Sequence, residues 1–365
     1  MRYPRMQTQS VERVFRGALI LAFLCSCSGS TESSDASGNP GVGGMSTGGS
    51  QTSTGGNGTG GNPTSGGTGG ETQTGGGGTG GTGGETQTGG GGSEPDPGTG
   101  GTDGEDDPEI TVVLEGDDVD RNGPLATTVE EGLTFSGGGH ILVRPTDITS
   151  EPNAKHPVAI WGPGGGTPPK DYLLLLTRMA SQGFVVVGIR ESTGDSVLMS
   201  AAIDWLEEQN ANPDSPMYDR LILDRVGVFG HSMGGLSSEA TALADDRVTT
   251  ALLNNSGSFS HNALVNVSIP VGIIYGETGQ ERPNAEGDFN NPGNKGPVWL
   301  SMMAGGGHGS GPWDGAGANV AWMRWHIGGE NARKEAFLGN GGKYNDTGIW
   351  KTDFKNWDAW KNWNE

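Results

Sequence analysis

The chain has 365 residues, 70 of them glycine, and a formal net charge of −21. The excess glycine lies mostly before Pro108, which leaves roughly 250 residues to pack a core, an ordinary size for one domain. The negative charge argues against a nucleic-acid partner, because phosphate binding requires a basic surface. The two cysteines, Cys25 and Cys27, lie near the N-terminus. We therefore expect no disulfide, cysteine-ligated metal or thiol nucleophile in the folded part.

The first 27 residues have the pattern of an export signal. Four arginines precede an apolar run at 17–24, and small residues follow. The run is shorter than the about 20 apolar residues of a membrane-spanning helix, so a secretory signal peptide is indicated. Residues 24–27, Leu-Cys-Ser-Cys, resemble a bacterial lipobox, which implies cleavage before Cys27 and its acylation. The alternative is an ordinary cleaved signal without lipid. We expect a protein of the cell envelope or surface, held to the membrane only by this anchor, or otherwise a secreted one.

Residues 28–108 are of low complexity. The sequence Glu-Thr-Gln-Thr-Gly-Gly-Gly-Gly occurs at 71–78 and again at 85–92. These repeats have no apolar side chains to bury, so they predict a disordered linker rather than a repeat fold. A chain of that length and composition has a reach of roughly 50 Å. The sequence thus divides into a signal peptide (1–27), a linker (28–108) and one folded domain (109–365).

From Glu109 onward, apolar strand patterns alternate with helical patterns. Strands are predicted at 110–114, 132–144, 156–161, 183–189, 225–229, 249–253, 269–275 and 297–302, and helices at 172–180, 197–209, 233–243 and 318–327. This alternation predicts an α/β fold with a mostly parallel central sheet and helices on both faces. Sites in such sheets lie at the carboxyl ends of the strands. Only about fifteen residues, 254–268, separate two late strands, which leaves no room for a large lid.

A serine lies between a predicted strand and a predicted helix. The sequence at 230–235 is Gly-His-Ser-Met-Gly-Gly, and its strand–turn–helix context is the one that a nucleophile elbow requires. Glycines on either side allow the tight turn, and the helix N-terminus beneath favours negative charge. Ser232 is the candidate nucleophile. The alternative is a glycine turn with a bystander serine.

Three motifs together resemble a known group of enzymes. They are the elbow, the sequence Trp-Gly-Pro-Gly-Gly at 161–165 and the sequence Met-Ala-Ser-Gln-Gly-Phe-Val-Val-Val at 179–187. From about Lys155 to Trp325 the chain resembles the α/β-hydrolases that include cutinases, polyester hydrolases and chlorophyllase-like esterases. The resemblance implies an α/β-hydrolase fold and a serine esterase. No spacing for metal ligands and no nucleotide-binding glycine motif is present, so we expect no metal and no cofactor.

The fold orders its catalytic residues as serine, acid and histidine. His308 is the candidate base, because it follows the last predicted parallel strand in a glycine-rich loop; a solvated loop histidine is the alternative. The other five histidines fit less well. Two precede the serine, one is inside the elbow, one lies in the wrong loop and one lies among tryptophans on a helix: His140, His156, His231, His261 and His326.

The expected position of the acid holds no acid. In the resembled group an aspartate lies four residues before a proline that corresponds to Pro283, and here that position is Gly279. Two glutamates flank the gap, and their longer side chains could reach the histidine. We take Glu281 as the first candidate, Glu277 as the second and Asp288 as the third.

Two backbone N–H groups are expected to bind the oxyanion. The residue after the nucleophile supplies one of them, here Met233. The resemblance assigns the other to Gly165, in the loop after an early strand; the alternative is a plain flexible loop. Glycine suits this place because the backbone must approach the substrate closely.

The substrate is expected to be an ester, either small or part of a polymer, that enters an open cleft, and the protein is expected to be a monomer. The polyester-cleaving members of the group carry a tryptophan just after the strand that ends near Leu253, but here residues 254–258 read Asn-Asn-Ser-Gly-Ser. Carbohydrate esters are therefore as plausible as polyesters. Three late tryptophans, Trp357, Trp360 and Trp363, predict either a sugar-stacking platform or one face of a docked helix.

Two other functions remain open at this point. The missing aspartate is compatible with a catalytically weak hydrolase fold that serves as a surface-binding module. The same fold also supports peptide or lactone hydrolysis.

Overall fold

A computed structural model of the chain describes residues 109–149 and 151–365. The predicted signal peptide (1–27) with Cys27 and the predicted linker (28–108) lie outside the described residues, so they stay predictions. Among the described residues, none of the helices has the length and apolar character needed to cross a membrane.

Ten strands of the described part form one sheet. They are β1 (Thr111–Val112), β2 (Thr127–Leu133), β3 (His140–Pro145), β4 (Ala154–Gly162), β5 (Val185–Gly188), β6 (Leu221–His231), β7 (Val248–Asn254), β8 (Val271–Gly276), β9 (Val298–Met303) and β10 (Trp350–Lys355). Their order is β10-β9-β8-β7-β6-β4-β5-β3-β2, and β1 pairs with β4. The neighbours from β4 to β9 are parallel, whereas β2–β3, β3–β5 and β9–β10 are antiparallel. The predicted mostly parallel sheet is confirmed.

Seven α-helices of the described part connect and cover these strands. They are α1 (Leu173–Ser181), α2 (Val197–Ala211), α3 (Met233–Ala244), α4 (Arg282–Asn290), α5 (Ser310–Trp313), α6 (Ala316–His326) and α7 (Lys334–Phe337). Between β7 and β8, where residues 255–270 are all described, the chain forms one 3-10 helix (Ala263–Asn266) and no lid.

The sheet is buried on both faces, as the continuous apolar runs of its central strands predict. In β4, Val158 and Ile160 pack into one hydrophobic cluster, while Ala159 and Trp161 pack into the other. All four side chains are fully buried. Helices α1 and α6 belong to the Trp161 cluster, and α2 and α4 belong to the Val158 cluster. The two helical layers therefore hold the central strands rigidly, and these strands carry the site at their carboxyl ends.

One predicted strand is wrong in its extent. Residues 132–144 do not form a single strand but part of a hairpin, in which β2 and β3 flank a 3-10 turn at Phe135–Gly137. Gly137, Gly138 and Gly139 all have positive φ, a conformation that glycine adopts without steric cost and that reverses the chain.

Four elements had no sequence prediction: the helices α4, α5 and α7 and the strand β10. The longest two, α4 and β10, show why. Helix α4 buries few residues, namely Ala285, Asp288 and Phe289, so its apolar periodicity is weak. Strand β10 buries only Trp350 and is defined by its antiparallel pairing with β9. Both elements depend on tertiary neighbours that a local pattern does not contain.

The last tryptophans dock on the core without forming a helix. Trp357 is buried and stacks on Trp325 with ring centroids 5.2 Å apart, and Trp360 packs edge-on against the same ring. Trp363 is half-exposed, and the guanidinium of Arg225 lies 3.6 Å from its ring centroid. Residues 356–365 contain no helix, so the predicted helix is wrong, although the contact with the core is present.

Candidate active site

Ser232 occupies a strained turn between β6 and α3. Its φ of 53° and ψ of −114° are rare for a residue with a side chain, and such strain is typical of a nucleophile elbow. The turn is also tight, since a Cβ on Gly234 would lie 2.0 Å from the carbonyl oxygen of Gly162. Glycine at 234 therefore allows α3 to begin directly against β4, and the serine lies at the carboxyl ends of the parallel strands.

Three side chains form one hydrogen-bonded chain at this edge of the sheet. The Nε2 atom of His308 lies 3.0 Å from Oγ of Ser232, and its Nδ1 atom lies 2.7 Å from Oε2 of Glu281. The loop after β9 carries the histidine, and the glutamate precedes the first residue of α4 after β8. In this arrangement Nδ1–H donates to the carboxylate, which leaves Nε2 to accept the serine proton.

Among the three candidate acids, the structure brings Glu281 to the histidine. Glu277 is exposed, and its carboxylate accepts a hydrogen bond from the N–H of Gly305 at 2.8 Å. Asp288 is buried in α4, where it accepts hydrogen bonds from the backbone N–H and the hydroxyl of Ser258. Neither of them bonds to His308 in the described part of the chain.

The Glu281 carboxylate is held ionised by its neighbours. Besides His308, it accepts hydrogen bonds from Nδ2 of Asn255 at 2.7 Å and from the N–H of Gly276 at 3.2 Å. Burial by itself raises the pKa of this carboxyl, but the hydrogen bonds from His308 and Asn255 outweigh burial and bring the pKa below its ordinary value. Asn255 was not singled out from the sequence, and its place directly after β7 was the one available signal.

The two expected oxyanion donors lie close together. A Cβ on Gly165 would lie 3.7 Å from the Cβ of Met233, so the loop after β4 approaches the first turn of α3. The backbone N–H of Met233 and that of Gly165 make no hydrogen bond within the described residues. Both are therefore free to donate to an oxygen atom bound beside Ser232.

The elbow histidine, His231, is buried and hydrogen-bonds to two other segments of the chain. His231 Nδ1 lies 2.8 Å from Oη of Tyr172, and Nε2 lies 2.7 Å from the backbone carbonyl oxygen of His308. Burial lowers the pKa of His231 to about 4, so the ring is neutral at ordinary pH. Sequence reasoning missed Tyr172, because a tyrosine at the start of an apolar helix is typical of a core.

The remaining histidines make their contacts elsewhere. In the described residues none of them bonds to Ser232. His140 accepts a hydrogen bond from the Arg190 N–H, His156 bonds to the Gly183 carbonyl, His261 packs near Gly287, and His326 lies among Trp322 and Trp325.

Ser232 is half-buried. Two surface pockets, of about 400 and 320 Å³, are lined by other residues, near Pro168 and near Asn340 respectively. Within residues 109–149 and 151–365, no group of three histidine, cysteine, aspartate or glutamate side chains is arranged to hold a metal ion.

Comparison with known proteins supplies the family. No curated protein matches the chain. A family model described as "PETase: PET hydrolase-like" matches residues 123–346, more than half of the chain. The matched range includes Ser232, His308, Glu281 and Gly165. The chain therefore belongs to the PET hydrolase-like family, and the predicted α/β-hydrolase fold is confirmed.

Proposed function

We propose that the protein is a serine esterase that cleaves carboxylic esters through an acyl-enzyme on Ser232. The observation that carries the proposal is the chain of hydrogen bonds from Ser232 through His308 to Glu281, at 3.0 and 2.7 Å. Membership of the PET hydrolase-like family supports ester hydrolysis.

The proposed first step forms the acyl-enzyme. Oγ of Ser232 attacks the ester carbonyl carbon while its proton passes to Nε2 of His308, and Glu281 stabilises the resulting imidazolium. The N–H groups of Met233 and Gly165 bind the negative oxygen of the tetrahedral intermediate. The C–O bond to the alcohol then breaks, and His308 gives the proton to the departing oxygen.

A water molecule completes the cycle. His308 takes a proton from the water, whose oxygen attacks the acyl carbon, and the proton then returns to Oγ of Ser232 as the carboxylic acid leaves. One ester and one water thus give one acid and one alcohol, and no cofactor enters the balance.

The substrate is proposed to be an ester on a polymer. The absence of a lid between β7 and β8 and the partial exposure of Ser232 favour a long chain over a small enclosed ligand. Membership of the PET hydrolase-like family favours a polyester. Carbohydrate esters stay an alternative, because residues 254–258 supply no aromatic side chain.

The test is hydrolysis of p-nitrophenyl acetate and butyrate by the full chain and by Ser232→Ala. We expect the variant to lose about 10⁶-fold in kcat, down to the residual rate that binding and the oxyanion hole supply. Ser260→Ala, at an exposed serine of the β7–β8 segment, is the matched control and should keep the native rate.

Equal, near-background rates for the native chain and Ser232→Ala would favour the surface-binding module. The missing aspartate motivated that alternative. The bond between Glu281 and His308 supports the esterase instead, because another residue holds the imidazole in the way the aspartate would.

We also propose that the enzyme is exported and anchored by lipid at Cys27. This rests on the sequence of residues 1–27. Labelled fatty acid should be incorporated by the native chain and by Cys25→Ser but not by Cys27→Ser, and labelling of all three would contradict the assignment.

A further inference from the structure

A line of hydrogen bonds that bypasses Ser232 joins the loops on its two sides. The N–H of Gly164 donates to Oη of Tyr172 at 3.0 Å, Tyr172 bonds to Nδ1 of His231 at 2.8 Å, and Nε2 of His231 bonds to the carbonyl oxygen of His308 at 2.7 Å. One end adjoins the Gly165 N–H, and the other end is the backbone of the candidate base.

The direction of every bond in this line is fixed. The carbonyl oxygen of His308 can only accept, so Nε2 of His231 carries the ring proton. Nδ1 of the neutral ring must then accept the proton of the Tyr172 hydroxyl, whose oxygen accepts from the Gly164 N–H. Burial lowers the pKa of His231 to about 4, which preserves this neutral form.

The side chains in this line of hydrogen bonds, called the bridge below, are closely packed. Tyr172 is 1% exposed and His231 is 8% exposed. The Tyr172 ring lies between Trp161 and Trp313, with ring centroids at 4.8 and 5.3 Å. A Cβ on Gly164 would lie 2.9 Å from Nδ1 of His231 and 3.0 Å from Oη of Tyr172. A shift of either loop must therefore stretch or break the bridge.

We propose that Tyr172 and His231 are positioning residues that hold the Gly165 N–H and the His308 ring in register about Ser232. This inference rests on the proposed esterase function. The two side chains transfer no proton in the reaction; they act through the backbone of the Gly164–Gly165 loop and of the His308 loop.

The test is a double-mutant cycle on kcat with Tyr172→Phe and His231→Phe, which keep an aromatic ring and remove the hydrogen bonds. Each single variant should lower kcat about tenfold with KM little changed, because misplacement of catalytic groups affects the chemical step. The double variant should lose no more than the worse single variant, since either change breaks the same bridge. A hundredfold, additive loss, or a change confined to KM, would overturn the proposal.

Tyr344→Phe is the matched control. Its hydroxyl is buried and has no hydrogen-bond partner in the described residues, so removal should leave kcat unchanged. Equal losses in Tyr344→Phe and Tyr172→Phe would mean general destabilisation and would also overturn the bridge.

A second readout does not depend on activity. In Tyr172→Phe, amide hydrogen exchange should accelerate both at 163–167 and at 305–309, whereas Tyr344→Phe should leave both loops unchanged. Acceleration at 163–167 alone would contradict the coupling. A native chain without Ser232-dependent hydrolysis would refute the proposed function, and the exchange result would still decide the bridge.

Discussion

Two regions of the molecule each bury a glutamate: the carboxyl ends of the strands and the helical layers on the sheet faces. The two glutamates differ in their hydrogen-bond partners. At the strand ends, Glu281 accepts hydrogen bonds from three groups, and these lower its pKa. In the helical layer, Glu239 of α3 has an Oε1 atom with no partner among the described residues. Burial, helped by the charge of Asp288, raises the pKa of Glu239 to about 9.

Two histidines repeat the contrast. Both ring nitrogens of His308 have partners at the strand ends. His326 in α6 is 2% exposed, is stacked on Trp325, and has no partner for either ring nitrogen within the described residues. Burial lowers the pKa of His326 well below its ordinary value. Burial without partners thus gives neutral packing groups, whereas fixed hydrogen-bond partners hold the side chains at the strand ends in one orientation.

The largest expected effect comes from replacing Glu281, the acid in the hydrogen-bonded chain at the strand ends. Glu281→Gln should lower kcat about 10⁴-fold, because an amide at this position no longer stabilises the imidazolium and favours the wrong tautomer of His308. Steady-state hydrolysis of p-nitrophenyl butyrate measures this.

Glu277→Gln is the control for that change, since this exposed glutamate contacts Gly305 and not His308. Its kcat should stay within about twofold of the native value, as for surface changes in general. A larger loss in Glu277→Gln than in Glu281→Gln would move the acid to Glu277.

The next largest effect is on stability, and it tests whether His326 serves only to fill space in the core. His326→Ala should lower the free energy of unfolding by about 2–4 kcal/mol, because it leaves a cavity among tryptophan rings. His326→Phe should match or exceed native stability, because it removes two buried nitrogens without partners. Chemical denaturation measures both, and a Phe variant as unstable as the Ala variant would reveal a polar role for this ring.

The smallest effect concerns Glu239 and depends on pH. The folded-state pKa of about 9 lies above the ordinary 4.5. As pH rises between these values the unfolded chain loses the proton that the folded protein keeps, and stability falls. Glu239→Gln has no such proton, so its advantage over the native chain should grow by about 1 kcal/mol, or about 3 °C in Tm, between about pH 5 and about pH 6. Thermal unfolding at both pH values checks this, and a constant difference would contradict it.

Much of the architecture was accessible from local pattern. Runs such as 157–161 and 183–189 carry no polar side chain because both faces of a parallel strand are covered, and the structure has β4 and β5 there. Strand β10 and helix α4 were not accessible, because each presents few buried side chains and takes its definition from neighbours distant in sequence.

For the candidate site, the sequence by itself determined Ser232 through the glycine turn between strand and helix, and His308 through the order of the fold. It left the acid open among three carboxylates, because the spacing of residues along the chain does not show which carboxylate side chain extends to His308. Only the tertiary structure shows that Glu281 is the carboxylate in contact with His308. It also shows that Tyr172 and His231 link the Gly164 loop to the His308 loop. The physical reason is distance along the chain: the hydrogen bond from His231 to the His308 carbonyl spans 77 residues, and a pairing of that range exists only once the sheet has brought its strand ends together.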